Sequence, residues 1–241
     1  MPLRLTDKTK IMGVINITPD SFSDGGMYLD VENALEKASY CINSGAEVID
    51  IGGQSTRPGA EILSSDQELK RIVPALKLIR KEFPNQLISV DTFYSDVASE
   101  ALNLGANWIN DISGGRLDPQ MFNVLAGTEV PFVITHSRGN SQTMKNYSNY
   151  QNVAAEVLSE LLIQVEKAIL AGVSSDQIII DPGIGFAKNT SQNLSLIKNL
   201  DIFTNTKYPV LVGPSRKRFI GDVLNEADPL KRLFGTSAVV C

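Results

Sequence analysis

Short apolar runs rich in Val and Ile recur along the chain, separated by stretches with amphipathic helical spacing. The runs predict strands at 10–16, 46–53, 87–91, 107–113, 131–136, 177–183 and 209–214. They are apolar almost without interruption, as parallel strands covered on both faces must be. Helices are predicted at 31–45, 66–82, 95–104, 117–126, 150–172, 191–200 and 216–225. Gly45 and Gly172 stand where two of these helices stop, the usual place for a residue free to turn left-handed. Strand and helix alternate throughout, which implies one parallel sheet.

Two α/β architectures fit that alternation, a doubly wound open sheet and a (β/α)₈ TIM barrel. The polar positions separate them. All seven predicted strands end in Asn, Asp, His, Ser or a Gly-rich loop. A doubly wound sheet gathers ligand residues at one switch point, whereas a barrel draws them from the carboxyl ends of many strands. The barrel is therefore expected, with seven of its eight strands recognisable and with residues 1–241 as one domain.

Composition leaves this picture in place and narrows the function. Hydrophobic residues make up 43% and charged residues 20% of the chain, ordinary values for a globular protein. The net charge of −5 excludes the basic stripe of a nucleic-acid binder. An anionic ligand then requires cations gathered locally. Cys41 and Cys241 have neither metal-ligand nor disulfide spacing, and Cys41 reads as a packed thiol on the face of Ala34 and Ala38. The amino-terminal segment runs straight into a strand without a signal-peptide pattern, and no membrane span is visible. The expected compartment is the cytoplasm.

The chemistry-bearing residues lie in the loops after the strands. The first loop, Asn16 to Gly26, is polar and Gly-rich, and Asn16 can offer its amide oxygen to a hard cation. Its bland alternative is an ordinary turn stabilised by Asn and Asp. The second, Gly52 to Ala60, sets Arg57 among glycines and hydroxyls, a pattern suited to phosphate capture. A solvated surface Arg is the competing reading. Asp50, Asp91, Asp111 and Asp181 lie near strand ends, with Asn110 at similar depth. A carboxylate there can accept paired hydrogen bonds from an amidine-like edge, or can merely cap a following helix. The last predicted strand leads into Ser215-Arg216-Lys217-Arg218. Cations are unfavourable at a helix start, so an electron-rich ligand nearby would offset the cost. His136 is the only histidine, equally compatible with a structural and a binding role.

Together, NITPDSFSDGG, DIGGQSTRPGA, SVDT, INDISGG, DPGIGFAKN and GPSRKRFIG resemble the dihydropteroate synthases, folate-pathway transferases targeted by sulfonamides. The six segments occur in that family's order and spacing. The resemblance implies a TIM barrel, usually a homodimer, that joins a pterin pyrophosphate to p-aminobenzoate with Mg²⁺. By position it implies that Asn16 meets Mg²⁺ and the pyrophosphate, and that Arg57 binds the anion. Asp91, Asn110 and Asp181 would hold the pterin edge, and Lys217 would touch the pterin. Thr56, Pro58 and Ser215 would form the p-aminobenzoate pocket, closed by Phe22 and Phe186. On the same ground Asp50 and Asp111 suit the capping reading better than Asp91 and Asp181 do.

The sequence departs from the family at Gln54, where Glu is usual, and at Thr135 and Ser137, where Met is common. The family pattern also continues past the Gly-Thr-Ser-Ala at 235–238 to an eighth strand with an Arg-x-His motif and a last helix. On that resemblance, 241 residues are expected to fold poorly alone and to bind pterin weakly at best. The alternative function is a pterin- or folate-binding barrel that performs no synthesis.

Overall fold

The computed structural model describes residues 8–17, 26–55, 57 and 59–241. Six strands form one parallel sheet in chain order: β1 (Met12–Asn16), β2 (Val48–Gly52), β3 (Leu87–Asp91), β4 (Trp108–Asp111), β5 (Phe132–Thr135) and β6 (Ile178–Asp181). Helices α1 (Gly26–Asn43), α2 (Ser65–Glu82), α3 (Ser95–Asn103), α4 (Gln120–Leu125) and α5 (Val153–Leu170) fill the successive crossovers. After β6 come α6 (Thr190–Lys198), α7 (Asp201–Thr204), α8 (Arg218–Leu224) and α9 (Leu233–Val240). The strand order never reverses, so there is no switch point of the doubly wound kind. This is the order in which a (β/α)₈ barrel is laid down.

The seventh predicted strand, 209–214, is reduced to one parallel bridge between Val210 and Ile180. Two backbone bonds of 2.9 Å frame it, Ile180 N–H to Pro209 O and Leu211 N–H to Ile180 O. Pro209 and Pro214 bracket the segment and lack N–H donors, which shortens any ladder there. Among the described residues no ladder joins β1 to this segment, and Val14 on β1 is 58% exposed.

Side chains alternate across the sheet with period two. One set, including Ile15, Ile49, Ile51, Ile88, Ile109 and Ile134, packs outward in the continuous core shared with the helices. The other set, Val48, Trp108, Val133 and Ile179 with Met12, Leu87 and Leu211, packs inward as an apolar plug. Two residues further along each strand from β2 to β6, on the same inner face, stand Asp50, Ser89, Asn110, Thr135 and Asp181. A polar layer therefore lies directly above the plug, at the carboxyl end of the sheet.

The helices carry the expected signals. At α2, Ser64 and Gln67 make a reciprocal capping box, with acidic residues in the first turn and Arg80 and Lys81 in the last. Arg80 knits the opposite end of the barrel. It donates to the carbonyls of Pro84 (2.9 Å), Gln86 (2.8 Å) and Gly105 (2.8 Å) and to Asn107 Oδ1 (2.7 Å). Cys41 is half-buried where α1 meets Gly13 of β1, and a Cβ on Gly13 would stand 2.8 Å from its Cβ.

Candidate active site

The inner polar layer is under-satisfied. Asn110 Nδ2 donates to Asp50 Oδ2 at 3.0 Å, but Asn110 Oδ1 and the Thr135 hydroxyl are buried without a hydrogen-bond partner. Buried polar atoms in native proteins are nearly always paired. With Asp50 Oδ1 and Ser89 Oγ also unpartnered, four such orphans lie in one layer at the mouth of the plug, the signature of a surface built for a polar ligand. Asp50 belongs to this layer and points inward beside Asn110, rather than capping a helix.

Asp181 lies in the layer, and Asp91 stands one step above it on β3. Burial, and then the nearby Asp50, Glu68 and Asp111 carboxylates, hold Asp91 well above the usual carboxylate range, and Lys217 opposes them. Burial also raises Asp181, against Lys217 and a 2.7 Å hydrogen bond from Gly183 N–H. Such crowded, desolvated carboxylates gain most from a ligand that donates to them. Asp111 differs. It faces outward and accepts from Ser113 N–H and Gly115 N–H, both at 2.7 Å, holding the fourth loop in its turn. Burial pushes it up to about 6.

The cationic segment after Val212 closes the circle. Lys217 is the cap residue of α8, and its ammonium lies 4.6 Å over the Phe186 ring and donates to Ile184 O. Burial lowers its pKa, while Asp181 and Asp91 hold it up. The unfavourable cation at this helix start is thus balanced by carboxylates from β6 and β3. Arg218 pairs with Asp222 at 3.7 Å, and Ser215 is exposed.

Of the predicted site residues, Asp91, Asn110, Asp181, Phe186 and Lys217 therefore converge. Asn16 lies at the end of β1 opposite Gly52, where a Cβ would stand 3.5 Å from both Asn16 Oδ1 and Asp91 Oδ2. Arg57 is exposed at the rim in the second loop. That loop is fastened to the fifth by Gly59 N–H to Ser141 O (2.7 Å) and Ser141 Oγ to Ala60 O (2.9 Å). Phe22, Thr56 and Pro58 lie outside the described residues.

Sequence reasoning passed over several contributors. Glu68, at the start of α2, is wholly buried under the second loop and accepts from Gln54 Nε2 at 3.0 Å. Burial pushes it up to about 7, with the Thr92 hydroxyl and the Gln54 amide restraining the rise. Ser137 does not stand free on the pocket wall. It accepts from Arg116 at 2.6 Å and donates to Ile112 O at 2.9 Å. Lys188 sits in a quoted motif yet had no role assigned, although a lysine trapped inside a Gly-rich loop is itself a signal. A cavity among the loops is bounded by Gln54, Phe93, Ile112, Ser137, Arg138 and Phe186, so five different loops share it, and of the predicted site residues that are described only Phe186 lines it.

Comparison with known proteins agrees with this geometry. Residues 12–241 match the family described as pterin binding enzyme. The chain is 47% identical to the dihydropteroate synthase of Bacillus subtilis (strain 168), over 99% of the chain and 81% of that protein. It is 45% identical to the dihydropteroate synthase of Synechocystis sp., over 97% and 81% respectively. Its structure is similar to a Xanthomonas albilineans dihydropteroate synthase solved with 4-aminobenzoic acid, with TM-score 0.89 and 37% identity, covering 97% of this chain and 82% of that one. The chain belongs to the pterin binding enzyme family, alongside the dihydropteroate synthases.

Proposed function

We propose that the chain joins 6-hydroxymethyl-7,8-dihydropterin pyrophosphate to p-aminobenzoate, giving 7,8-dihydropteroate and pyrophosphate. The observation that carries this reading is the polar layer with its orphaned Asn110 Oδ1 and Thr135 hydroxyl, which contains the buried Asp181 carboxyl and lies beside that of Asp91. A pterin offers an amino-pyrimidinone edge whose N–H donors suit those carboxylates. Donation to Asp91 favours its carboxylate form, against the burial and neighbouring carboxylates that disfavour it.

The remaining groups then have roles. Arg57 at the rim takes the pyrophosphate with its planar fork. Phe186 and the backbone of the sixth loop form a wall that keeps water from the reactive methylene, and Lys217 bridges that wall to the carboxylates. The aniline nitrogen attacks the methylene carbon, the C–N bond forms, and the C–O bond to pyrophosphate breaks. The electron-rich pterin stabilises positive charge on that carbon. Little proton transfer by the protein is required.

Asn16 fits a role toward Mg²⁺. Its amide oxygen is a hard donor at the carboxyl end of β1, across Gly52 from the Asp91 carboxylate. No cluster of three or more His, Cys, Asp or Glu able to hold a metal occurs among the described residues, so oxygens of the pyrophosphate would complete the shell. Mg²⁺ supplies positive charge against the departing pyrophosphate. A homodimer belongs to the same reading and rests on the sequence resemblance, and the cytoplasm is its expected compartment. No helix among the described residues is long and apolar enough to cross a membrane.

Pyrophosphate release from the pterin substrate tests the proposal. Release should require both p-aminobenzoate and Mg²⁺, and should stop when the metal is chelated. Release at the same rate without p-aminobenzoate would show a hydrolase instead.

A further inference from the structure

We propose that Lys188 is a positioning residue for this site: its ammonium, set by His136, winds the sixth loop (182–189) into the shape that presents Phe186 and the Ile184 carbonyl to Lys217. The kinetic part of this inference rests on the function proposed above; its spectroscopic part does not.

Burial lowers the pKa of Lys188, and Asp181 opposes that; as an ammonium it has three N–H donors and no acceptor. Lys188 Nζ has three neighbours at bonding distance: Gly183 O (3.0 Å), Phe186 O (2.9 Å) and His136 Nδ1 (3.0 Å). If all three are accepted, Nδ1 presents a lone pair and the imidazole is neutral. Its proton is then on Nε2, which faces Glu160 Oε2 at 3.0 Å. The carboxylate is pinned in turn by Arg138, whose Nε lies 3.1 Å from each oxygen, and Arg138 stacks on Tyr150 at 3.9 Å. Burial, and then the Lys188 charge, push His136 down to about 4, which keeps it neutral at ordinary pH.

The loop needs such a clasp. Gly183, Gly185 and Ala187 all have positive φ, at 67°, 85° and 49°. For Ala187 that conformation is unfavourable unless its surroundings enforce it. A Cβ on Gly183 would stand 1.9 Å from His136 O, so only glycine lets the two loops touch. From the other side Asn193 accepts from Gly185 N–H at 2.6 Å and donates to Asn189 O at 2.8 Å. Lys188 draws two carbonyls of the loop toward one point, and the stretch so folded carries Ile184 and Phe186 against Lys217. Lys188 itself acts through these groups.

His136 is the only histidine, so ¹⁵N-histidine labelling of the unaltered protein reports on it alone. The expected spectrum is one neutral Nε2–H tautomer at neutral pH. An Nδ1–H tautomer or an imidazolium at neutral pH would overturn the clasp. Lys188→Met keeps length and removes the donors. It should lower kcat/KM at least about tenfold and release His136 into mixed tautomers. Combined with Phe186→Ala, its loss should be strongly non-additive, because both changes act through one loop. Additive losses, or an unchanged kcat/KM, would refute the positioning role. If Lys188→Met does not fold, the wild-type spectrum still decides the arrangement. A wild type that forms no dihydropteroate would refute the proposed function while leaving that spectrum valid.

Discussion

Glu68→Gln should make the protein more stable at alkaline pH and leave it unchanged in acid. The wild-type carboxyl is wholly buried beneath the second loop, where a Cβ on Gly53 would lie 2.9 Å from its Cγ. Its pKa is pushed from the ordinary 4.5 to about 7, chiefly by burial. A folded value above the unfolded one means that the native state holds an extra proton between the two. The contribution is fully present below about pH 4.5 and is lost as pH rises through about 7. At about 1.4 kcal/mol for each pH unit, the full loss is about 3 kcal/mol. Gln stays neutral, can accept from Gln54 and can donate toward Thr92. The stability difference between variant and wild type should therefore grow from near zero at pH 4.5 to about 3 kcal/mol at pH 8. Urea unfolding of both proteins across that range reads it directly. A difference that stays flat with pH would refute the buried, protonated carboxyl.

Other substitutions probe the site and the scaffold. Asp91→Ala and Asp181→Ala should each weaken pterin binding by about 1–3 kcal/mol in calorimetry; unchanged affinity with the fold intact would make them structural. Arg57→Lys keeps the charge but loses the fork, so affinity should fall for the pyrophosphate-bearing pterin and barely change for the bare pterin. Equal losses for both ligands would assign Arg57 to loop position. Arg80→Ala removes a cation bonded to several carbonyls at the far end of the barrel, and should cost about 2–3 kcal/mol in denaturant titration without changing pterin affinity. A loss of affinity at unchanged stability would contradict that purely structural placement.

The fold was legible wherever pattern alone decides. Apolar runs located all six strands within two residues at their starts, because strands buried on both faces have no polar interruption. The run at 209–214 misled, because apolar composition does not reveal that its two prolines leave few ladder donors. Polar strand ends pointed to Asp91, Asn110 and Asp181, since a barrel sends period-two positions to one axis. The same period separates Asn110 from Asp111, yet adjacent residues look alike in a sequence, and the capping reading favoured for Asp50 and Asp111 fails for Asp50, which faces inward beside Asn110. Lys188, Glu68 and the Arg116–Ser137 contact were missed for a different reason. Glu68 under Gly53, Arg116 with Ser137, and Lys188 with His136 meet across loops distant in sequence, and such tertiary contacts leave no local pattern.

The central claim is that the polar layer, the carboxylates and Lys217 form a site that makes a carbon–nitrogen bond. Incubation with the dihydropterin pyrophosphate and ¹³C-labelled p-aminobenzoate, followed by mass spectrometry, tests it most directly. The account predicts labelled 7,8-dihydropteroate in equal amount to released pyrophosphate, and none of either from Lys217→Met above a small residue. Tight pterin binding with no labelled product would contradict the account and leave a barrel that binds pterin without joining it to anything.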